Sequence, residues 1–269
     1  MNQAALDPAL ISQALMLPSE SYIADQCEVV DVEAINQAHE FVRQQLATRL
    51  HAEFAAMYDK HHIESEYRFD AESMARRSLK NISLTYLLET GDESESDRCL
   101  QQLETASNMT DSLAALSALA QHDLPQRQPQ LDHFYAQWQH DPQVTDKWFA
   151  LQAGSPLPDA LEKVKSLTSH PAFRLTNPNK VRALIGRFSM GNQIRFHSSD
   201  GSGYRFLSDQ VIQLDAINPQ MAARLVSTLS RWARFDAKRQ KLMRDELKRI
   251  ASLEKISKDV FEIVSKSLD

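Results

Sequence analysis

One helix-start signal occurs four times in the sequence, and it restricts the possible folds more than any other feature. In each case an Asp or Asn stands directly before a proline, at Asp7-Pro8, Asp141-Pro142, Asn177-Pro178 and Asn218-Pro219. An Asp or Asn side chain accepts hydrogen bonds from the free N–H groups of a first helical turn. Proline suits the first helical position, because its φ is already fixed and it has no N–H to leave unpaired. Each pair therefore predicts the start of a helix.

Apolar residues recur every three or four positions along most of the chain, which is the spacing of one helix face. The longest such run follows Asp31, covers positions 32 to 57 and predicts one long helix. A second run begins at Asp70 and continues to Leu87. No stretch of four to eight residues alternates apolar and polar side chains clearly enough to predict a strand. The pattern predicts about a dozen helices joined by short polar loops.

Glycine is scarce, with 6 residues in 269. Sheets need glycine in turns and bulges, so its scarcity also favours helices. Helices in series, paired antiparallel, predict an all-α, irregular α-solenoid, a superhelix of HEAT or armadillo type. The solenoid is irregular because no fixed sequence period is present. Since no Pro- or Gly-rich linker divides the chain, we expect one helical domain over residues 1–269.

The motifs of several enzyme classes are absent from the sequence. It contains no G-x-G-x-x-G and no G-x-x-x-x-G-K-[ST] phosphate loop. His51 and His61 are not followed by a second histidine four residues later, as the H-E-x-x-H zinc motif requires. No G-x-S-x-G elbow is present, and Cys27 and Cys99 lack the local signature of a thiol enzyme. We therefore expect no catalytic residue, no metal ligand and no cofactor in this chain.

Charge and cysteine content restrict the partners and the compartment. The chain has 36 acidic and 30 basic residues, giving a net charge of −6, so nucleic acid is not an expected partner. No apolar run is long enough for a membrane span, and the first 17 residues do not form a signal peptide. Two cysteines do not make a disulfide framework, which favours a reducing cytoplasm.

Two polar clusters are interpreted as structural. His61 and His62 are expected to be solvated near the end of the long helix, where a cation complements the helix dipole. The acidic and serine-rich stretch from Asp92 to Asp97 is expected to be a solvated loop. Its alternative, weak binding of a hard cation, lacks the ligand spacing and central glycine of an EF-hand.

Two of the predicted helices carry polar side chains beside an apolar stripe. Arg182 lies on the flank of the stripe in the helix that begins after Asn177. Gln220 and Arg224 are four residues apart and share the face opposite the stripe in the helix that begins after Asn218. Spacing alone leaves two interpretations open, a solvated surface and a cavity in which arginine meets a carboxylate.

Several short motifs, in a fixed order, resemble those of one protein family. They are Asn108-Met109-Thr110-Asp111, Asp146-Lys147-Trp148-Phe149, Asn177-Pro178-Asn179-Lys180-Val181-Arg182, Asp200-Gly201-Ser202-Gly203-Tyr204, Asn218-Pro219-Gln220 and Phe235-Asp236-Ala237-Lys238-Arg239-Gln240. Together they resemble the C-terminal helical domain of bacterial aminopeptidase N, a zinc metallopeptidase of the H-E-x-x-H type. The resemblance extends over nearly the whole chain.

This resemblance implies a role that composition could not indicate. Members of the family are multidomain enzymes that remove single amino acids from peptide N-termini, and their helical C-terminal domain caps the active-site cavity. Their zinc lies in the catalytic domain, outside the part that this chain resembles. The implied partners are that catalytic domain and the peptide substrate. Arg182 and Arg224 correspond to arginines that face the interior channel, where they are expected to hold the carboxylate end or carbonyls of a peptide. Gln220 stands in the matching channel position one turn before Arg224.

Two hypotheses about function follow. In the first, the chain is an N-terminally truncated C-terminal domain of a larger aminopeptidase, inactive alone, which controls substrate access and orients peptides. In the second, it is a stand-alone α-solenoid scaffold that binds protein partners. The second rests on the acidic, glycine-poor, helical sequence without catalytic motifs.

Overall fold

The computed structural model describes residues 7–63 and 66–269. The first six residues, part of the segment with no predicted signal peptide, lie outside this range. The described residues form the helices α1 (Pro8–Ala14), α2 (Glu20–Asp25), α3 (Val32–Arg49), α4 (His51–His61), α5 (Ala71–Leu88), α6 (Glu93–Thr105), α7 (Met109–Ala120), α8 (Arg127–Trp138), α9 (Pro142–Ala153), α10 (Ala160–Thr168), α11 (Pro178–Val181), α12 (Arg187–Gly191), α13 (Gln193–Phe196), α14 (Ser202–Asp215), α15 (Pro219–Val226), α16 (Ala237–Ala251) and α17 (Lys258–Leu268). A π turn (Arg182–Gly186) joins α11 to α12, and a 3₁₀ segment (Ser227–Arg234) follows α15.

All four predicted Asp-Pro and Asn-Pro helix starts are confirmed. Asp7, Asp141, Asn177 and Asn218 each accept a hydrogen bond from a backbone N–H in the first turn. Asp141 accepts two, from the N–H groups of residues 143 and 144 at 2.8 and 3.1 Å. These local caps fix where the helices begin.

The prediction of one long helix after Asp31 is wrong in one respect. The chain leaves helical geometry at Leu50, with φ −112° and ψ 23°, and α3 and α4 are separate helices. Ala47 before the break and Phe54 after it belong to one buried cluster. Apolar spacing continues across the break, because both sides face the same core, and therefore does not reveal it.

The stretch from Asp92 to Asp97 is helical and not the expected loop. Asp92 caps α6 by accepting the N–H of Ser94 at 2.9 Å. Glu95 is buried, accepts a hydrogen bond from Arg98 Nε at 2.8 Å and lies 3.1 Å from His51 Nε2. Acidic side chains in a first turn complement the helix dipole, which explains their clustering here.

The chain divides into two compact units. The first comprises Met1–Ser19 and Gln37–Leu131, and the second comprises Glu20–Asn36 and Asp132–Asp269. In the first unit α5 packs against α1, α4 and α7. Its core includes Ala47, Phe54, Tyr58, Leu84, Tyr86, Leu87, Leu88, Cys99, Ala115, Ala118 and Leu119.

The second unit is built on α14, α15, α16 and α17, with α9 packed on the π turn. Its largest fully buried side chains include Phe149, Leu184, Ile185, Phe188, Phe196 and Tyr204. The segment 20–36 is tied into this unit, since the Val30 N–H donates to the Arg234 carbonyl at 2.7 Å. This contact belongs to an isolated bridge between Val30 and Phe235, and residues 7–63 and 66–269 contain no strand.

Candidate functional site

The second unit contains an open hollow of about 570 Å³. Helices α9, α11, α12 and α15 and the π turn border it. Its lining consists of Asp146, Ala150, Asn179, Arg182, Ala183, Gly186, Arg187, Met190, Gly191, Met221, Arg224 and Leu225. The hollow therefore combines three arginines with an apolar wall of methionine and leucine side chains.

Arg182 reaches the hollow from a helix that is anchored on its other side. Asn177 caps the helix start by accepting the Asn179 N–H at 2.9 Å. The predicted apolar stripe of Val181, Leu184, Ile185 and Phe188 is fully buried. Arg182 is exposed, and its Nη1 donates to the side-chain oxygen of Asn179 at 2.6 Å. Burial of the stripe thus directs the arginine outward.

The π turn brings a second arginine to the same face. The Arg187 N–H donates to the Arg182 carbonyl, a bond between residues five apart. In an α-helix, residues five apart lie about 140° apart around the axis and face different directions. The wider π turn reduces this angle, and Arg182 and Arg187 both line the hollow. Turns of this kind occur frequently at functional sites.

Helix α15 supplies the third arginine. Asn218 caps it by accepting the Met221 N–H at 3.0 Å, and Met221 and Leu225 are buried against the hollow. Arg224 is exposed and lines the hollow. Gln220 is also exposed but is not part of the lining. The structure therefore brings Arg182 and Arg224 together and leaves Gln220 outside.

The charge of the hollow is positive, because its arginines lack acidic partners. Among the described residues, the guanidinium groups of Arg187 and Arg224 have no hydrogen bond or ion pair, and that of Arg182 bonds only to the Asn179 amide. The acidic member of the lining, Asp146, lies 2.7 Å from Lys180 Nζ. Guanidinium groups with free donors bind carboxylates in bidentate geometry.

Sequence reasoning missed Arg187. The residue stands five positions after Arg182, so an α-helical pattern places it on another side of the helix. The sequence contained one indirect signal, namely that Gly186 and Gly191 both occur within one predicted helical run. A glycine inside a helical pattern costs about 1 kcal/mol relative to alanine and lowers the expectation of a regular α-helix there.

A polar cluster in the first unit has a structural role. Lys80 Nζ donates to Asp111 at 2.8 Å, and both side chains are buried. Asn81 and Asn108 also donate to the Asp111 carboxylate, at 2.9 and 3.0 Å. Burial alone would raise the pKa of Asp111, but these hydrogen bonds outweigh it and hold the pKa below its ordinary value. Each charge in the cluster is therefore paired.

The expected solvation of His61 and His62 is wrong, since both side chains are half-buried. The His62 ring stacks on Tyr58 with 5.2 Å between centroids. Partial burial, followed by the charges of Lys60 and Arg76, lowers the pKa of His61. The neighbouring residues 64 and 65 lie outside the described ranges.

Across the parts of the chain that the structure describes, no three His, Cys, Asp or Glu side chains are placed to hold a metal ion.

Comparison with known families identifies the chain. Residues 1–269 match the family described as "Domain of unknown function (DUF3458_C) ARM repeats". The chain belongs to this family. Armadillo repeats stack helices into a solenoid, so the predicted all-α, armadillo-like solenoid class is confirmed for this ARM-repeat domain.

Relatives of this ARM-repeat domain are aminopeptidases. It is 41% identical over 264 residues to aminopeptidase N of Escherichia coli and 40% identical over 269 residues to that of Haemophilus influenzae. These matches cover 98% and 100% of the chain but 30% of each relative. A crystal structure of Legionella pneumophila aminopeptidase A in complex with aspartic acid is 32% identical in sequence to this chain, with a TM-score of 0.90. The match covers 99% of this chain and 32% of the Legionella chain.

The domain thus spans about a third of the length of these relatives. The resemblance to the C-terminal helical domain of bacterial aminopeptidase N is confirmed.

None of the helices in the described part of the chain is long and apolar enough to cross a membrane.

Proposed function

We propose that this ARM-repeat domain caps the substrate cavity of a zinc aminopeptidase and orients peptides there. One observation carries the proposal: aminopeptidases N match 98–100% of the chain at about 40% identity. The same proposal treats residues 1–269 as one functional helical domain, part of a larger aminopeptidase. The partner is the catalytic part of that enzyme, and the enzyme's substrate is a peptide.

In this proposal the arginines of the hollow hold the peptide. Arg182 and Arg224 bind its carboxylate end or its carbonyls by charge-assisted hydrogen bonds. Gln220, one helical turn before Arg224 on the exposed side of α15, contacts the peptide outside the hollow. The absence of acidic partners at the three arginines, among the residues described, supports this role, since a peptide carboxylate would supply the missing partner.

Bond cleavage belongs to the catalytic part of the enzyme. Zinc sites in hydrolases use three protein ligands, and no such group of side chains exists among the described residues. These residues do not fit a zinc site, so the proposed role of the chain is binding and orientation, without a step at the metal. The chain alone is then inactive.

The proposed compartment is the cytoplasm. Cys27 and Cys99 are both unpaired. Burial raises the pKa of the Cys99 thiol to about 12, and its Sγ donates to the Ala115 carbonyl at 3.3 Å. Unpaired cysteines are typical of proteins kept in a reducing environment.

A kinetic experiment tests the orienting role. The chain replaces the 264 aligned residues in the Escherichia coli aminopeptidase N, and Arg182→Gln and Arg224→Gln are compared with the unchanged chimera. We expect each variant to raise KM at least about threefold for peptides with a free C-terminal carboxylate, because one ion pair is lost. A single-residue alanine reporter amide does not reach these arginines, so its KM stays the same.

Arg205→Gln is the matched control, since Arg205 is an exposed arginine of the same unit outside the hollow. Equal changes for peptide and reporter amide would contradict the orienting role. So would an unchanged KM for peptides in both variants.

A stand-alone protein-binding scaffold is the second candidate. It is favoured by exposed apolar side chains between α4 and α5, where Ile63, Tyr67 and Phe69 are 53%, 48% and 79% exposed. Exposed apolar clusters mark protein interaction sites. The chimera separates the two candidates, because a scaffold would not restore peptide turnover.

A further inference from the structure

Two glycines leave the space that the Arg187 guanidinium occupies. A Cβ on Gly191 would lie 2.7 Å from Arg187 Nη1 and 3.2 Å from its Cδ and Cζ. A Cβ on Gly154 would lie 2.9 Å from Nε and 3.0 Å from Nη2 of the same side chain. These distances are shorter than ordinary van der Waals contacts, so any larger residue at either position would displace the guanidinium.

Backbone geometry does not explain these glycines. Among the described residues, only Gly91 and Gly201 have positive φ, the conformation that favours glycine. Gly154 and Gly191 therefore have backbone conformations that alanine adopts as well. Gly191 ends α12, where alanine would suit a helix better than glycine. At both positions the atoms nearest to an added Cβ belong to the Arg187 side chain.

Arg187 is exposed and lines the hollow, and the absence of a Cβ at Gly154 and Gly191 leaves its guanidinium room at this place. The Arg187 guanidinium has no acidic or hydrogen-bonding partner among the described residues, although it offers five donors. The guanidinium is thus placed at the hollow with its donors available.

The hollow holds more positive charge than one carboxylate neutralises. Arg182, Arg187 and Arg224 line it, while the acidic Asp146 already lies beside Lys180. A peptide that ends in one carboxylate leaves at least one guanidinium of the three unpaired. A peptide with a second carboxylate near its end supplies that partner.

We propose that Arg187 is a specificity-determining residue, which makes the hollow prefer peptides with an acidic side chain beside their C-terminal carboxylate. This inference rests on the proposed function, in which the hollow receives the end of a peptide. It adds a substrate class and a residue to that function. Arg187 acts through binding and takes no part in cleavage.

NMR titration of the 269-residue chain tests the inference through binding, independently of activity. The probes are acetylated tetrapeptides of alanine with a free acid end, with an amidated end, and with glutamate as the last residue and a free acid end. We expect the glutamate peptide to bind about three- to fivefold more tightly than the alanine acid, as one additional partly solvated ion pair provides. The amide should bind least.

Three variants separate the charge of Arg187 from its position. Arg187→Gln removes the charge, and Gly191→Ala displaces the guanidinium while keeping it. We expect both to abolish the preference for the glutamate peptide over the alanine acid, measured as the ratio of the two affinities. Arg205→Gln is the matched control, because Arg205 is an exposed arginine of the same unit outside the hollow, and it should retain the preference.

The outcomes distinguish this inference from the function on which it rests. If the acid binds better than the amide but the glutamate peptide gains nothing, the role of Arg187 is overturned and the peptide-orienting role stands. An unchanged preference in Gly191→Ala would overturn the positioning by glycine. Equal binding of acid and amide, or no binding of any probe, would overturn both proposals.

Discussion

At the scale of single residues, His197 shows how completely the second unit excludes water. Its side chain is buried, its ring stacks on Phe235 with centroids 4.3 Å apart, and its Nδ1 lies 2.9 Å from the Tyr204 hydroxyl. Arg239 Nε donates to the His197 carbonyl at 2.7 Å. Burial, assisted by the Arg239 charge, lowers the pKa of His197 to about 3.

This shift predicts a specific dependence of stability on pH. Between pH 6.5 and 3 the unfolded chain binds a proton at this histidine that the native chain does not. The contribution is therefore complete above about pH 6.5, and the free energy of unfolding falls by up to about 1.4 kcal/mol per pH unit below it. Urea unfolding of the wild type and His197→Asn at several pH values measures this slope.

The His197→Asn variant has no titrating group at this position, while the new amide oxygen can still accept a hydrogen bond near the place of Nδ1. The variant should be less stable at neutral pH, through lost stacking, but should lose less stability on acidification. Parallel curves for the two proteins between about pH 6.5 and 4 would contradict the assignment to His197.

Gly203 lies where the structure leaves no room for a side chain. A Cβ at this position would lie 2.2 Å from the carbonyl oxygen of Phe196, which is backbone and cannot rotate away. We expect Gly203→Ala to lower the free energy of unfolding by at least about 2 kcal/mol, measured by urea denaturation. Gly186→Ala, whose Cβ has room, is the control. Equal stability of the two variants would mean that the close approach of α14 to Phe196 is absent.

At the scale of helices, the sequence predicted the features that depend on neighbouring residues, but not those that depend on tertiary packing. Caps such as Asn177 and Asn218 depend on neighbouring residues alone, so the sequence located those helix starts. The break at Leu50 and the π turn depend on how a helix packs against others, which apolar spacing does not record. Arg182, Gln220 and Arg224 became candidate site residues through the family resemblance, because spacing alone left a solvated surface open, whereas Arg187 lies on another side of an α-helical pattern.

The Asn177 cap also has an energetic consequence. Asn177→Ala removes the acceptor of the Asn179 N–H, and we expect the free energy of unfolding to fall by about 1 kcal/mol. Asn177→Asp keeps the acceptor and should cost little. Thermal or urea unfolding of both variants measures the difference. If Asn177→Ala were as stable as Asn177→Asp, this cap would not stabilise the helix start.

At the scale of the whole molecule, a helical ARM-repeat domain is proposed to bind and orient peptides for an aminopeptidase. Each of its two units has its own buried core, and the hollow with three arginines lies within the second. The sequence and the relatives associate this domain with aminopeptidases. The hollow combines three arginines with an apolar wall, and no three His, Cys, Asp or Glu side chains of the described residues are placed to hold a metal ion.

The proposed function requires this chain to complete an aminopeptidase. The most direct measurement is peptide turnover by Escherichia coli aminopeptidase N from which the matching 264 residues are deleted, before and after this chain replaces them. We predict that the replaced enzyme regains zinc-dependent turnover of peptides, while the pure chain alone hydrolyses neither peptides nor an alanine reporter amide. A folded replacement that hydrolyses peptides no better than the deleted enzyme would contradict the account.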